Sequence, residues 1–103
     1  MAYLVQRTST RPNTNVKFFQ GMYPEDIVIA KQIVIRFLGE GKLLSESSSV
    51  SNDKLTYSYS ALWSSLAAHE EFLADETLKA IWEKRKSYNI ANGITVNITK
   101  SIT

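Results

Sequence analysis

Between Leu55 and Trp63 the chain alternates: Leu55, Tyr57, Tyr59, Ala61 and Trp63 fall on one side of an extended backbone, and Thr56, Ser58, Ser60 and Leu62 on the other. Successive side chains of a strand point to opposite faces, so this pattern predicts a strand with one largely aromatic face and one hydroxyl face. The same period recurs near the C-terminus, where Ile94, Val96 and Ile98 alternate with Thr95, Asn97 and Thr99. Tyr3 to Thr10, rich in β-formers and hydroxyls, predicts a first strand, and the serine-rich stretch from Leu43 to Val50 a second. A turn at Ser51-Asn52-Asp53-Lys54 joins the second strand to the third, and Arg11-Pro12-Asn13-Thr14-Asn15 ends the first with loop chemistry. The segment Val16 to Tyr23 reads as a loop, although Phe18, Phe19, Met22 and Tyr23 make it unusually aromatic.

Two regions carry helix signals. Pro24 suits a first helical position, and Glu25 and Asp26 follow it in the positive first turn. That helix is expected to run to about Leu38, where Gly39 and Gly41 stop it. Its β-branched runs, Ile27-Val28-Ile29 and Ile33-Val34-Ile35, would also suit a strand; the caps and the polar Lys31 and Gln32 decide for a helix. Farther on, Ser64 or Ser65 can cap a short helix through Ala74, and Asp75 a second one with Leu78, Ile81 and Trp82 at helical spacing. Asn92-Gly93 ends it. The predicted order is β-α-β-β-α-β, an α+β chain of ferredoxin-like plan with an antiparallel sheet and its helices on one side.

With 103 residues the chain is expected to be a single domain, 1–103, burying roughly 60–70% of its unfolded surface. A hydrophobic content of 44% beside 21% charged residues excludes a disordered class. The net charge of +2 is too small to argue for nucleic acid, which needs a clustered basic surface. The one basic run, Lys84-Arg85-Lys86, reads as cations at a helix C-terminus, where they complement exposed carbonyls. No cysteine is present, which excludes disulfides and thiolate metal sites. The N-terminus lacks a basic start and a long apolar stretch, and Ile27 to Leu38 is too short and too interrupted to span a bilayer. A soluble cytoplasmic protein, with neither membrane nor nucleic acid as partner, is the expectation.

The stretch from Ala61 to Leu78, with Trp63 at a strand end, a serine-capped turn, an alanine-rich helix and a leucine soon after a second cap, resembles the dimeric α+β barrel superfamily in its antibiotic-biosynthesis-monooxygenase branch. The motif covers about the last half of the chain; the rest resembles that branch by element order alone. The resemblance implies a homodimer in which two sheets close face to face, each chain forming half of the barrel with its helices outside. It also implies a pocket between sheet and helices, used in the superfamily for cofactor-free oxygenation, isomerisation or haem breakdown. At the positions corresponding to the working residues of the haem-degrading members, this chain has Arg7, Phe72 and Trp82, so haem chemistry is not expected.

His69 is the only histidine, and its neighbours Glu70 and Glu71 lie on other helix faces, so no metal site is expected and no cofactor either. His69 is expected to be partly exposed on an amphipathic helix. No nucleophile elbow and no phosphate-binding glycine loop occurs, and no catalytic residue is assigned. The aromatic set Tyr57, Tyr59, Trp63, Phe72 and Trp82 either fills the core between sheet and helices or lines a pocket for a small aromatic or lipid-like molecule. The opposite face, with Thr56, Ser58, Ser60, Thr95, Asn97, Thr99 and the serines Ser45, Ser47 and Ser49, is polar yet uncharged. Solvent-facing sheets usually carry Lys and Glu against association, so this face suits a second copy of itself. Three function classes remain, in this order: a non-catalytic ligand-binding dimer; a cofactor-independent monooxygenase or isomerase; and an assembly protein docking through the Phe18–Tyr23 segment.

Overall fold

The computed structural model describes residues 1–103 and forms four strands and four helices. They follow in the order β1 (Tyr3–Thr10), α1 (Phe19–Met22), α2 (Pro24–Gly39), β2 (Leu43–Val50), β3 (Thr56–Trp63), α3 (Leu66–Leu73), α4 (Glu76–Ala91) and β4 (Thr95–Ile102). The sheet order is β2-β3-β1-β4, with every neighbouring pair antiparallel. This is the ferredoxin-like α+β arrangement. No helix is long and apolar enough to cross a membrane.

Register sorts the side chains into rows across the sheet. Ser49, Ser58, Thr8 and Asn97 form one row of the outer face, and Ser47, Ser60, Gln6 and Thr99 the next. The intervening rows face the helices: Leu43, Trp63, Tyr3 and Ile102; then Glu46, Ala61, Val5 and Lys100; then Ser48, Tyr59, Arg7 and Ile98. A bulge at Leu44 resets the register of β2, and so Glu46 joins the inner face while the serines on either side of it face out.

The helix α2 holds its β-branched residues against their propensity because Ala30, Ile33, Val34 and Phe37, spaced i, i+3, i+4 and i+7, are all buried. Val28 and Ile35 point away and stay 58% and 61% exposed. Gly41, at φ +72°, turns the chain out of α2 and lets the Lys42 amide donate back to the Phe37 carbonyl at 3.0 Å. Ser65 caps α3 by accepting from the Ala68 amide at 3.1 Å, and Asp75 caps α4 by accepting from the Leu78 amide at 2.9 Å.

Three expectations need correction. The Phe18–Tyr23 segment contains a helical turn, and Phe19 and Tyr23 fold inward against Tyr88 rather than presenting a docking surface. The Tyr88 hydroxyl, donating to the Lys17 carbonyl at 2.5 Å, ties the segment down. The basic run Lys84-Arg85-Lys86 lies in the middle of α4, which continues to Ala91, so the helix dipole does not explain it. His69 is 6% exposed, because α3 turns Ala68, His69 and Phe72 to the core together.

Candidate functional site

Between the inner face of the sheet and the helices lies a cavity of about 270 Å³. Its floor is strand surface: Val5 and Arg7 from β1, Glu46 from β2, Tyr57, Tyr59, Ala61 and Trp63 from β3, Ile98 and Lys100 from β4. Its walls are Phe19 from α1, Ile27, Ala30 and Val34 from α2, His69 and Phe72 from α3, and Trp82 and Arg85 from α4. All five aromatic residues singled out in the sequence border this space.

They border it in two ways. Trp63, 2% exposed, is wedged edge-on against Phe37 at 6.0 Å between ring centroids, with Phe72 at 4.8 Å and His69 at 5.2 Å. Trp63 and Phe72 therefore belong to the core and offer the cavity only a part of their surface. Tyr57, Tyr59 and Trp82 are half-buried and form its more open wall. The Tyr59 hydroxyl donates a short hydrogen bond to the Glu46 carboxylate. Burial and that carboxylate both push the Tyr59 phenol far above its ordinary range, which keeps it a donor.

Alternation and helix spacing reveal polar residues that the sequence reading left out of the site. Arg7 shares the inner face of β1 with Tyr3 and Val5. Arg85 follows Leu78 by seven residues and Trp82 by three, which places it on the apolar stripe of α4. Its guanidinium stacks on the Trp82 indole, 3.7 Å from the ring centroid. Burial first, and the like charge of Arg7 second, lower the Arg85 pKa to about 9, and burial lowers that of Arg7 as well. Arg7 donates to the Ser9 hydroxyl at 3.0 Å. The ion pairs of the structure, Arg36–Asp75, Lys42 with Glu40 and Glu71, Lys79–Glu76 and Lys84–Asp26, include neither arginine.

His69 lies between Tyr3 and Trp63, with ring centroids 5.6 and 5.2 Å away. Desolvation first, and the charge of Lys100 second, hold its pKa below the usual 6.5, so the imidazole is neutral at neutral pH. A neutral imidazole beside an apolar cavity can take a proton from a bound molecule. No three His, Asp or Glu side chains converge to hold a metal ion. On the far side of the sheet a shallow groove of about 490 Å³ runs over the hydroxyl rows of Ser47, Ser49, Ser58 and Ser60, with Asn97 and Thr99.

No family model matches the chain, and no curated protein matches it in sequence. Solved structures do match in fold. A variant of SnoaB, a cofactor-independent oxygenase from Streptomyces nogalater, superposes with a TM-score of 0.70 at 11% identity, over 99% of this chain and 92% of that one. A dimeric ferredoxin-like protein from an uncultured marine organism gives 0.68 at 9% identity, over 99% and 94%. An antibiotic-biosynthesis-monooxygenase-type protein from Deinococcus radiodurans gives 0.56 at 12% identity, over 98% and 91%. These superpositions establish a shared fold, and at identities this low the likeness extends to the fold alone.

Proposed function

We propose that this chain forms a cytoplasmic homodimer that binds a small hydrophobic or aromatic molecule in the cavity between sheet and helices. The observation that carries the reading is the cavity itself, in which 13 of 20 lining residues are hydrophobic. Ligand sites are typically concave, mostly apolar and supplied with a few polar groups that fix orientation. Tyr57, Tyr59 and Trp82 would contact the molecule, with Trp63 and Phe72 as its rigid backing. The uncharged hydroxyl rows of the outer face support pairing with a second copy, as does the dimeric state named for one of the structural neighbours.

A thermal-shift screen of small aromatic and fatty compounds, followed by tryptophan fluorescence titration of the hits, tests the reading. Binders should raise the melting temperature of the wild type and lose affinity in Trp82→Ala. A screen without a hit, or hits indifferent to Trp82, would remove its support.

A second reading is favoured by the neutral His69 at the cavity wall together with the oxygenase among the structural neighbours. His69 would then deprotonate a bound phenolic compound, and molecular oxygen would serve as the oxidant. Oxygen uptake in the presence of hydroxylated aromatics, abolished in His69→Phe, would mark this second case.

A further inference from the structure

We infer that the cavity takes an organic acid: an apolar, aromatic body with one carboxylate, whose oxygens are held by Arg7 and Arg85. The inference rests on the cavity reading above and adds the charge and the orientation of the ligand.

Arg7 and Arg85 border the same cavity from opposite sides, one at the centre of the sheet and one on α4. Neither forms an ion pair with the protein. Burial is the main influence on both guanidiniums; after it Arg85 feels the like charge of Arg7, and no carboxylate acts on either, only the phenols of Tyr57 on both and Tyr59 on Arg85. Glu46, the one carboxylate in the cavity wall, is engaged by the Tyr59 hydroxyl. Lys31 and Lys100 at the margin add two further positive charges.

Guanidiniums withdrawn from water ordinarily find a carboxylate, because an unpaired buried charge is costly. Leaving both Arg7 and Arg85 half-buried on one cavity and unpaired is a free-energy cost. A bound anion removes it. The planar, five-donor fork of arginine matches a carboxylate with two parallel hydrogen bonds, which a lysine cannot offer. The Trp82 indole stacked under Arg85 holds that fork in place and leaves its edge free. With the acid group fixed there, the rest of the ligand lies along Tyr57, Tyr59 and Val34, where the cavity is apolar.

The experiment is a calorimetric titration of the intact protein with 2-naphthoate and with 2-naphthamide, which have the same body and differ in charge. The wild type should bind the carboxylate at least about tenfold more tightly, the worth of one charge-assisted hydrogen bond. Arg85→Met and Arg7→Met should each remove that preference and leave the amide affinity within about threefold. The wild-type pair decides the matter by itself if a variant does not fold. Equal affinities for the two compounds, or a preference that survives both substitutions, would overturn the anion assignment and leave the cavity reading standing. Binding of neither compound would overturn both.

Discussion

Replacing Trp63 by alanine tests whether this side chain is core or ligand wall, and the two roles differ in magnitude. Its indole is 2% exposed and packs on Phe37, Phe72 and His69. Truncating a buried tryptophan costs about 3–5 kcal/mol in lost transfer energy and residual void. A domain of this size has about 5–15 kcal/mol in total, so Trp63→Ala should remove about a fifth of it at the least. At roughly 4–8 °C per kcal/mol the melting temperature should fall by at least about 12 °C. Trp82 is half-buried, already faces empty volume and rests on the Arg85 guanidinium, so Trp82→Ala leaves no sealed void. Its cost should be about 1–2 kcal/mol, chiefly the lost stacking and partial burial. Urea unfolding of both variants, followed by far-UV circular dichroism, gives the two numbers directly. A ligand found by screening should restore neither Trp63→Ala nor its packing. Equal losses in the two variants, or a loss below about 1 kcal/mol for Trp63→Ala, would refute this division between core and wall.

Three further outcomes follow from the charges and the outer face. Static light scattering at tens of micromolar should give a dimer mass for the wild type and a reduced mass for Ser58→Lys, because Ser58 lies mid-sheet in a hydroxyl row; a wild-type monomer would end the dimer proposal. The folded pKa of His69 lies below its open-chain value of 6.5, so the unfolded state takes up the proton first and stability falls as pH drops through and below 6.5. His69→Phe should flatten that slope between pH 7 and 5, and an unchanged slope would show that other groups cause it. Arg85→Met should gain stability on the order of 2 kcal/mol at pH 7, from relief of desolvation less the lost stacking on Trp82. With the folded pKa at about 9 against 12.5 in the open chain, that gain is complete below pH 9 and shrinks above it; a variant less stable than wild type at pH 7 would contradict the unpaired charge.

The strands were legible from composition and turn residues: Tyr3–Thr10 and Leu43–Val50 have the bounds that β-formers, hydroxyls and flanking turns predict, and β3, where period 2 is strict, differs by one residue. The caps at Pro24, Ser65 and Asp75 did the same for the helices, even through the β-branched runs of α2. Other features depended on contacts remote in sequence. The α1 turn exists because Phe19 and Tyr23 find Tyr88, 69 and 65 residues away along the chain. Lys84-Arg85-Lys86 looked like one basic patch, yet a helix distributes three consecutive residues around its circumference. Lys84 reaches Asp26 at 2.8 Å, while Arg85 turns to Trp82. The five aromatic residues were found by type, but whether they surround space depends on how far α4 stands off the sheet, which no local pattern encodes.

The outer and inner faces of one sheet thus carry opposite chemistry, and register alone separates them. Gln6 and Thr8 lie in the hydroxyl rows; Arg7, between them, points into the cavity. A one-residue slip of β1 would move its whole side-chain set to the other face. It would bring the Arg7 charge onto the surface assigned to the partner copy and place Gln6 and Thr8 in the cavity. Both proposals would fail together, since two like charges would meet across the dimer axis and the anion site would lose its central donor. The alignment is held from both sides, by β3 through Tyr59 opposite Arg7 and by β4 through Ile98. Thr10 and Thr56, 3.1 Å apart between hydroxyl oxygens, pin the far end of the pair. The proposed dimer and the proposed acid site therefore depend on the same antiparallel pairing, and a change that spares every side chain but shifts β1 should abolish the two at once.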